Sequence, residues 1–131
     1  MIRAVPALLR ILLGNQTATV PSTPLSCPSL QKDACWAIGN IAGDSDEYRS
    51  ALLYCGALQP VVEFLAQSLV QWNSAFETGA ADSATRDSMI ELHESRACTA
   101  IWTISNIARG STPGDVFLSA GDLICDNSIV M

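Results

Sequence analysis

The sequence predicts an all-α fold built from stacked helical repeats, and three internal matches predict it. The stretch Trp36-Ala37-Ile38-Gly39-Asn40-Ile41-Ala42 returns as Trp102-Thr103-Ile104-Ser105-Asn106-Ile107-Ala108. The apolar run Ala57 to Leu65 aligns with Ala4 to Leu12 at a constant offset of 53 residues. Ala120-Gly121-Asp122-Leu123 parallels Cys55-Gly56-Ala57-Leu58. Matches in one order along the chain are the signature of a repeat array, in which each unit buries its apolar face only by stacking on its neighbours.

Element by element, Ala4 to Leu13 carries apolar residues at helical spacing and stops at Gly14-Asn15, so a helix is expected over 4–13. Residues 15–29 are rich in Ser, Thr and Pro and read as a loop. Leu30, Ala34, Ala37, Ile38 and Ile41 then form one apolar stripe of a helix over about 30–42. Asp44, with Glu47 three residues on, fits a capping box for a short helix over about 46–55 that closes at Gly56. A third helix starts near Ala57, with Pro60 tolerable in its first turn. Residues 71–86 show no clear period and read as an exposed insertion, with Trp72 and Phe76 tucking some of it back. Helix resumes from about 87 to 108 and breaks at Gly110, after which Thr112-Pro113-Gly114-Asp115 offers another start signal.

Composition narrows the function classes. Of 131 residues, 49% are apolar, enough for a core, and the net charge is −6 with a pI near 4.4. Acidity argues against nucleic acid as a partner and weakly favours basic partners. No apolar run reaches membrane-spanning length, so no membrane association is expected. The five cysteines, Cys27, Cys35, Cys55, Cys98 and Cys125, are scattered without a C-x-x-C pair, which fits a reducing compartment. The only histidine, His93, lies between Glu91 and Glu94 and reads as a solvated helix-face residue rather than a metal ligand. No P-loop, nucleophile elbow or dinucleotide fingerprint occurs, so neither an enzyme nor a cofactor is expected.

The recurring pair of Trp and Asn carries the functional signal. In each copy the two are four residues apart, one turn up the same helix face and off the apolar stripe. Trp36 with Asn40 and Trp102 with Asn106 therefore read as binding residues, against the blander reading of the tryptophans as core. The spacing between copies, 66 residues, exceeds the roughly 40–47 of an armadillo or HEAT unit, and an edge insertion at about 68–86 accounts for the excess.

Trp36 to Ser45, followed by Arg49, Leu53, Cys55-Gly56-Ala57-Leu58 and Pro60, resembles a central armadillo repeat of importin-α (karyopherin-α), and Trp102 to Gly110 resembles the repeat after it. The resemblance covers about 31–67 and 96–123 well and 4–13 loosely. It implies an armadillo-type right-handed α-solenoid forming a single region over 1–131: a partial repeat 1–43, a repeat 44–110 with the insertion, and a partial repeat 111–131. It also implies an adaptor that binds lysine-rich nuclear localisation signals in extended form, moving between cytoplasm and nucleus. Successive Trp rings would flank the methylene stem of a ligand Lys, with cation–π attraction of about 0.5–2 kcal/mol each. Each Asn amide would hold the peptide backbone, and Asp44 would receive an ammonium group. Arg109, which stands for no acid in that pattern, reads as a helix-end residue only.

The alternative is an armadillo scaffold that binds other proteins, or a non-functional fragment, without signal binding. The family's basic N-terminal segment is not found in this sequence, so importin-β is expected as a partner only if such a segment exists elsewhere. A chain that begins inside one repeat and ends inside another is expected to be a piece of a longer array, marginally stable alone.

Overall fold

The computed structural model describes residues 3–14, 28–77 and 82–109, and these fold into five helices with no strand among them. The expected start signal at Thr112, the partial repeat 111–131, the loop over 15–27, Cys27 and Cys125 lie outside the described residues. The helices are α1 (Ala4–Leu13), α2 (Pro28–Asp44), α3 (Asp46–Tyr54), α4 (Leu58–Glu77) and α5 (Ser83–Ala108).

Local chemistry sets the boundaries. Gly14, at φ 64°, ends α1 in a left-handed conformation open to glycine at no steric cost. The helix α2 begins two residues before its expected start, with Pro28 as its first helical residue, where a missing N–H costs nothing. Gly56, at φ 72°, closes α3: its N–H donates to Leu53 O at 3.1 Å and the Ala57 N–H to Leu52 O at 3.0 Å, the paired bonds of a Schellman turn. Leu52 and Ala57, brought together by that turn, are both buried.

Two boundaries correct the sequence reading. Asp44 is the last residue of α2, and Ser45 caps α3 instead, its hydroxyl accepting from the Tyr48 N–H at 3.2 Å. Both residues suit the capping position, and the shorter hydroxyl of Ser45 takes it. The described part of the expected insertion is helix as well. The helix α4 runs on to Glu77, and Asp82 caps α5 by accepting from the Thr85 N–H at 2.7 Å. Ala75 is buried there and Trp72 meets Phe76 edge to face, ring centres 5.0 Å apart. The long repeat thus grows by lengthening the α4–α5 hairpin.

Burial at equivalent positions shows how the two units stack. At the offset of 66, Cys35 is fully buried while Ile101 is 55% exposed, and Gly39 is buried while Ser105 is exposed. The opposite face reverses this, since Asn40 is exposed and Asn106 buried. The pairs at offset 53 agree: Leu12 is buried and Leu65 only half-buried, whereas Ile11 is half-buried and Phe64 buried. Each helix thus has a forward and a backward face. The first unit buries its forward faces and the second its backward faces, as translation-related repeats must. The shared core joins Val5 and Leu12 of α1, Ile38 of α2, Leu52 of α3, Val61 and Phe64 of α4, and Ile107 of α5.

No single helix among the described residues is long and apolar enough to cross a membrane. The pair α3 and α4 passes only as two segments bent by 80°, and its apolar residues Leu52, Val61 and Phe64 are buried in the helical core.

Candidate functional site: a cleft between two rungs

The site follows from how closely α5 approaches α2. Thr103 Oγ1 donates to Cys35 O at 3.0 Å and Asn106 Nδ2 donates to Gly39 O at 3.1 Å, so the two helices run in the same direction. Gly39 makes this possible. A Cβ there would lie 2.8 Å from Cε3 of Trp102 and 2.7 Å from Thr103 Oγ1, closer than side-chain carbons are found. A glycine inside a helix costs roughly 1 kcal/mol against alanine; here it admits an indole against the backbone.

Beside that contact lies an open cleft enclosing about 380 Å³. Gly39 and Gly43 line it, together with the side chains of Asn40, Asp44, Trp102, Asn106 and Arg109. Four of the five residues singled out in the sequence therefore meet in one place. Trp36 does not line the cleft; it stands 58% exposed one turn before Asn40 on α2.

The two Asn residues differ. Asn40 is exposed and its Nδ2 donates within its own helix, to Trp36 O at 3.1 Å. Asn106 is 3% exposed, and its bond to Gly39 O fixes which way the amide faces. Its Oδ1 is then left buried without a hydrogen-bond partner. A buried acceptor in that condition costs about 1–3 kcal/mol until an N–H or O–H reaches it.

Charge in the cleft is mixed. Asp44 is exposed at the C-terminal end of α2, where the partial negative charge of the last carbonyls opposes a carboxylate. It forms no ion pair among the described residues; the acid that is paired, Asp46, meets Arg49. Arg49 also donates to Ala42 O at 3.0 Å, capping the same helix end. Arg109 is exposed just past α5, where a cation suits the helix dipole. The sequence reading kept Arg109 out of the site and passed over Gly39. The signal that could have found Gly39 was a pair of glycines, Gly39 and Gly43, kept inside one helix against propensity.

Away from the cleft, a buried cation holds the units together. Arg96, 2% exposed, donates to Gln71 Oε1 at 2.5 Å, to Gln31 Oε1 at 3.1 Å and to His93 Nδ1 at 3.1 Å, and lies 4.8 Å from the centre of the Phe64 ring. Gln31 in turn donates to Leu12 O at 3.2 Å. The expectation of a solvated His93 is therefore corrected: the ring is 6% exposed, drawn in because Arg96 needs an acceptor. Burial, and then the Arg96 charge, hold the imidazole below its usual pKa, and burial lowers that of Arg96. Cys35 is equally enclosed; burial pushes its thiol up to about 11, with the Thr103 hydroxyl opposing. Cys55 and Cys98 are exposed and free.

Comparison with known proteins gives one informative relative. The chain is 31% identical over 137 aligned residues, 95% of its own length, to a protein of Dictyostelium discoideum described as "Probable importin subunit alpha-A". The chain spans 23% of that relative's length. No protein-family profile and no solved structure matches it. The similarity and the helical-repeat fold together support a distant relationship to importin-α and to armadillo-type protein-interaction proteins.

Proposed function

We propose that the chain is an importin-α-like adaptor segment that binds lysine-rich nuclear localisation signals of cargo proteins in extended form, in the cytoplasm and the nucleus. One observation carries this reading: Asn40, Asp44, Trp102 and Asn106 line a single cleft. The exposed Asn40 amide offers its carbonyl oxygen to a peptide backbone N–H. Asp44, set against the negative end of its own helix, gains from an ammonium group that neutralises it. Trp102 offers an indole face to the methylene stem of the same lysine, and the exposed Trp36 extends the surface by one turn.

The test is fluorescence anisotropy with a labelled lysine-rich peptide against the full chain. Binding is expected, two- to tenfold weaker for Asp44→Asn, and weaker again as salt is raised. Asp44 is exposed, so the variant keeps its fold. Absence of binding, or equal affinity for the lysine-rich peptide and one with Gln in place of every Lys, would overturn the reading in favour of an armadillo scaffold with other partners.

A further inference from the structure

The α4–α5 hairpin reaches past the unit it belongs to. At the offset of 53 residues the last residue of α1, Leu13, matches Ala66, and at the offset of 66 the first residue of α2, Pro28, matches Glu94. Residues 67–77 of α4 and 83–93 of α5 therefore have no counterpart in the helices of the first unit. A further unit of ordinary length, stacked on this one, brings no helix to cover them. Their surface is not plainly polar. Leu65, Leu69, Trp72 and Phe76 follow one another at helical spacing along the forward side of α4, and Leu69 and Phe76 are exposed. On α5, Asp87, Glu94 and Ile101 lie at intervals of seven residues, so the two acids share the forward side that Ile101 marks, with Glu91 beside them. The hydrogen bond from Arg96 to Gln71 sets the antiparallel register and brings this acid row alongside the apolar stripe. All three acids are exposed, and none is in an ion pair among the described residues. Arg86 is the only Lys or Arg from position 67 to 94.

We propose that this extension is a docking surface for an amphipathic helix of a partner protein, apolar along one side and flanked there by Lys or Arg. Leu69 and Phe76 stand two turns apart, roughly 10 Å, the interval at which a facing helix repeats its own apolar anchors. The partner's cations meet Asp87, Glu91 and Glu94 at the rim, where complementary charge fixes orientation and speeds encounter. Charge also decides against other occupants. A second copy of this chain, apposed through the same face, sets its acids against these acids or against the apolar stripe, and either costs free energy. An anionic membrane or nucleic acid is repelled. An extended strand finds no sheet edge to join, since the described residues form no strand. The surface shares no residue with the cleft, so the two readings stand or fall separately.

The experiment uses the full chain and a labelled helical peptide of about 18 residues, with Leu at every third or fourth position and Lys on both flanks of that stripe. A second peptide keeps the Leu pattern and carries Glu for every Lys. By anisotropy the basic peptide is expected to bind saturably and the acidic one at least fivefold more weakly. Affinity for the basic peptide should fall about fivefold or more in the double variant Leu69→Ser with Phe76→Ser. It should fall about two- to fivefold when Asp87→Asn, Glu91→Gln and Glu94→Gln are combined, and stay unchanged in Asp44→Asn. The acid variant replaces exposed side chains only, so it decides the matter should a thermal melt show the apolar variant unfolded. No binding, equal affinity for the two peptides, or affinity indifferent to both hairpin variants overturns the proposal. Loss of binding in Asp44→Asn alone places the peptide in the cleft, which overturns the proposal and leaves the lysine-peptide reading standing. A dimer seen by sedimentation and abolished by the Leu69 and Phe76 replacements names a second copy as the occupant, and that overturns it too.

Discussion

The two rungs of this chain, Trp36 with Asn40 and Trp102 with Asn106, share a sequence pattern and differ in what surrounds them. In the second rung the indole lies against Gly39 and the amide is tied to the Gly39 carbonyl at 3.1 Å, both on the preceding unit. In the first rung the indole is 58% exposed and the amide bonds only to its own helix. A W-x-x-x-N motif therefore serves two purposes: the backward edge of the helix locks the stack, and whatever that lock leaves over faces the cleft. Both amides donate once, but Asn40 does so within its own exposed helix, whereas Asn106 does so across the seam to the preceding unit.

The difference also depends on what stands in front of each rung. Gly39 offers the bare backbone on which Trp102 rests, but its counterpart in the second unit is Ser105. A helix placed on α5 as α5 is placed on α2 would meet the Ser105 side chain where an indole would lie.

Replacing Gly39 with Ala breaks the comparison most directly. The new Cβ intrudes on Trp102 and Thr103, and overpacking of this kind costs about 1–3 kcal/mol. A lower urea midpoint with an unchanged slope is the expected measurement, and Ser105→Gly, on the open side, should shift the midpoint by no more than about 1 kcal/mol. Next in size, Asn106→Ala should cost about 1–2 kcal/mol, because it removes a buried hydrogen bond between the two units and leaves a small void at their seam. Asn40→Ala, exposed and bonded locally, should stay within about 0.5 kcal/mol, so unequal thermal shifts for the two variants measure the asymmetry. Ser45→Ala removes the cap of α3 for about 1 kcal/mol, a value that also separates Ser45 from Asp44 as the capping residue.

The smallest effect concerns pH and tests the seam behind both rungs. His93 accepts from Arg96 and so is neutral in the fold, with its pKa held below that of the unfolded chain. Above the unfolded value, about 6.5, neither state binds this proton and stability is unaffected by it. As pH falls below that value the unfolded chain takes up the proton first, and stability declines through the folded value. Urea titrations at pH 7.5 and 5.5 should therefore show a loss that His93→Gln reduces, because Gln can accept from Arg96 without titrating.

How much of this was legible in the sequence varied with how local each cause is. The helix over 4–13 and the stop at Gly56 came out as read, since a glycine at a helix end and an apolar stripe are local signals. Ser45 against Asp44 could not be separated, because adjacent residues both suited the cap. The helical content of 71–77 was hidden by the thin apolar pattern there, and its cause is tertiary: Gln71 and Ala75 are held by Arg96 and the α5 helix. His93 was misplaced for the same reason, its flanking glutamates pointing to solvent while its own ring is recruited by a buried cation. At the cleft, four residues were legible as a pattern. Neither the burial of Asn106 nor the part played by Gly39 could be read without knowing which helix lies against which.

The most direct measurement of the central claim is a two-dimensional 1H–15N NMR titration of the full chain with a lysine-rich peptide, following side-chain resonances. The expected result is that the Asn106 and Asn40 amide groups and the Trp102 indole shift together and saturate at one peptide concentration, with the Trp36 indole moving less. Saturable shifts confined to resonances elsewhere, with those three groups unmoved, would contradict the claim that the cleft between the two rungs is the binding site.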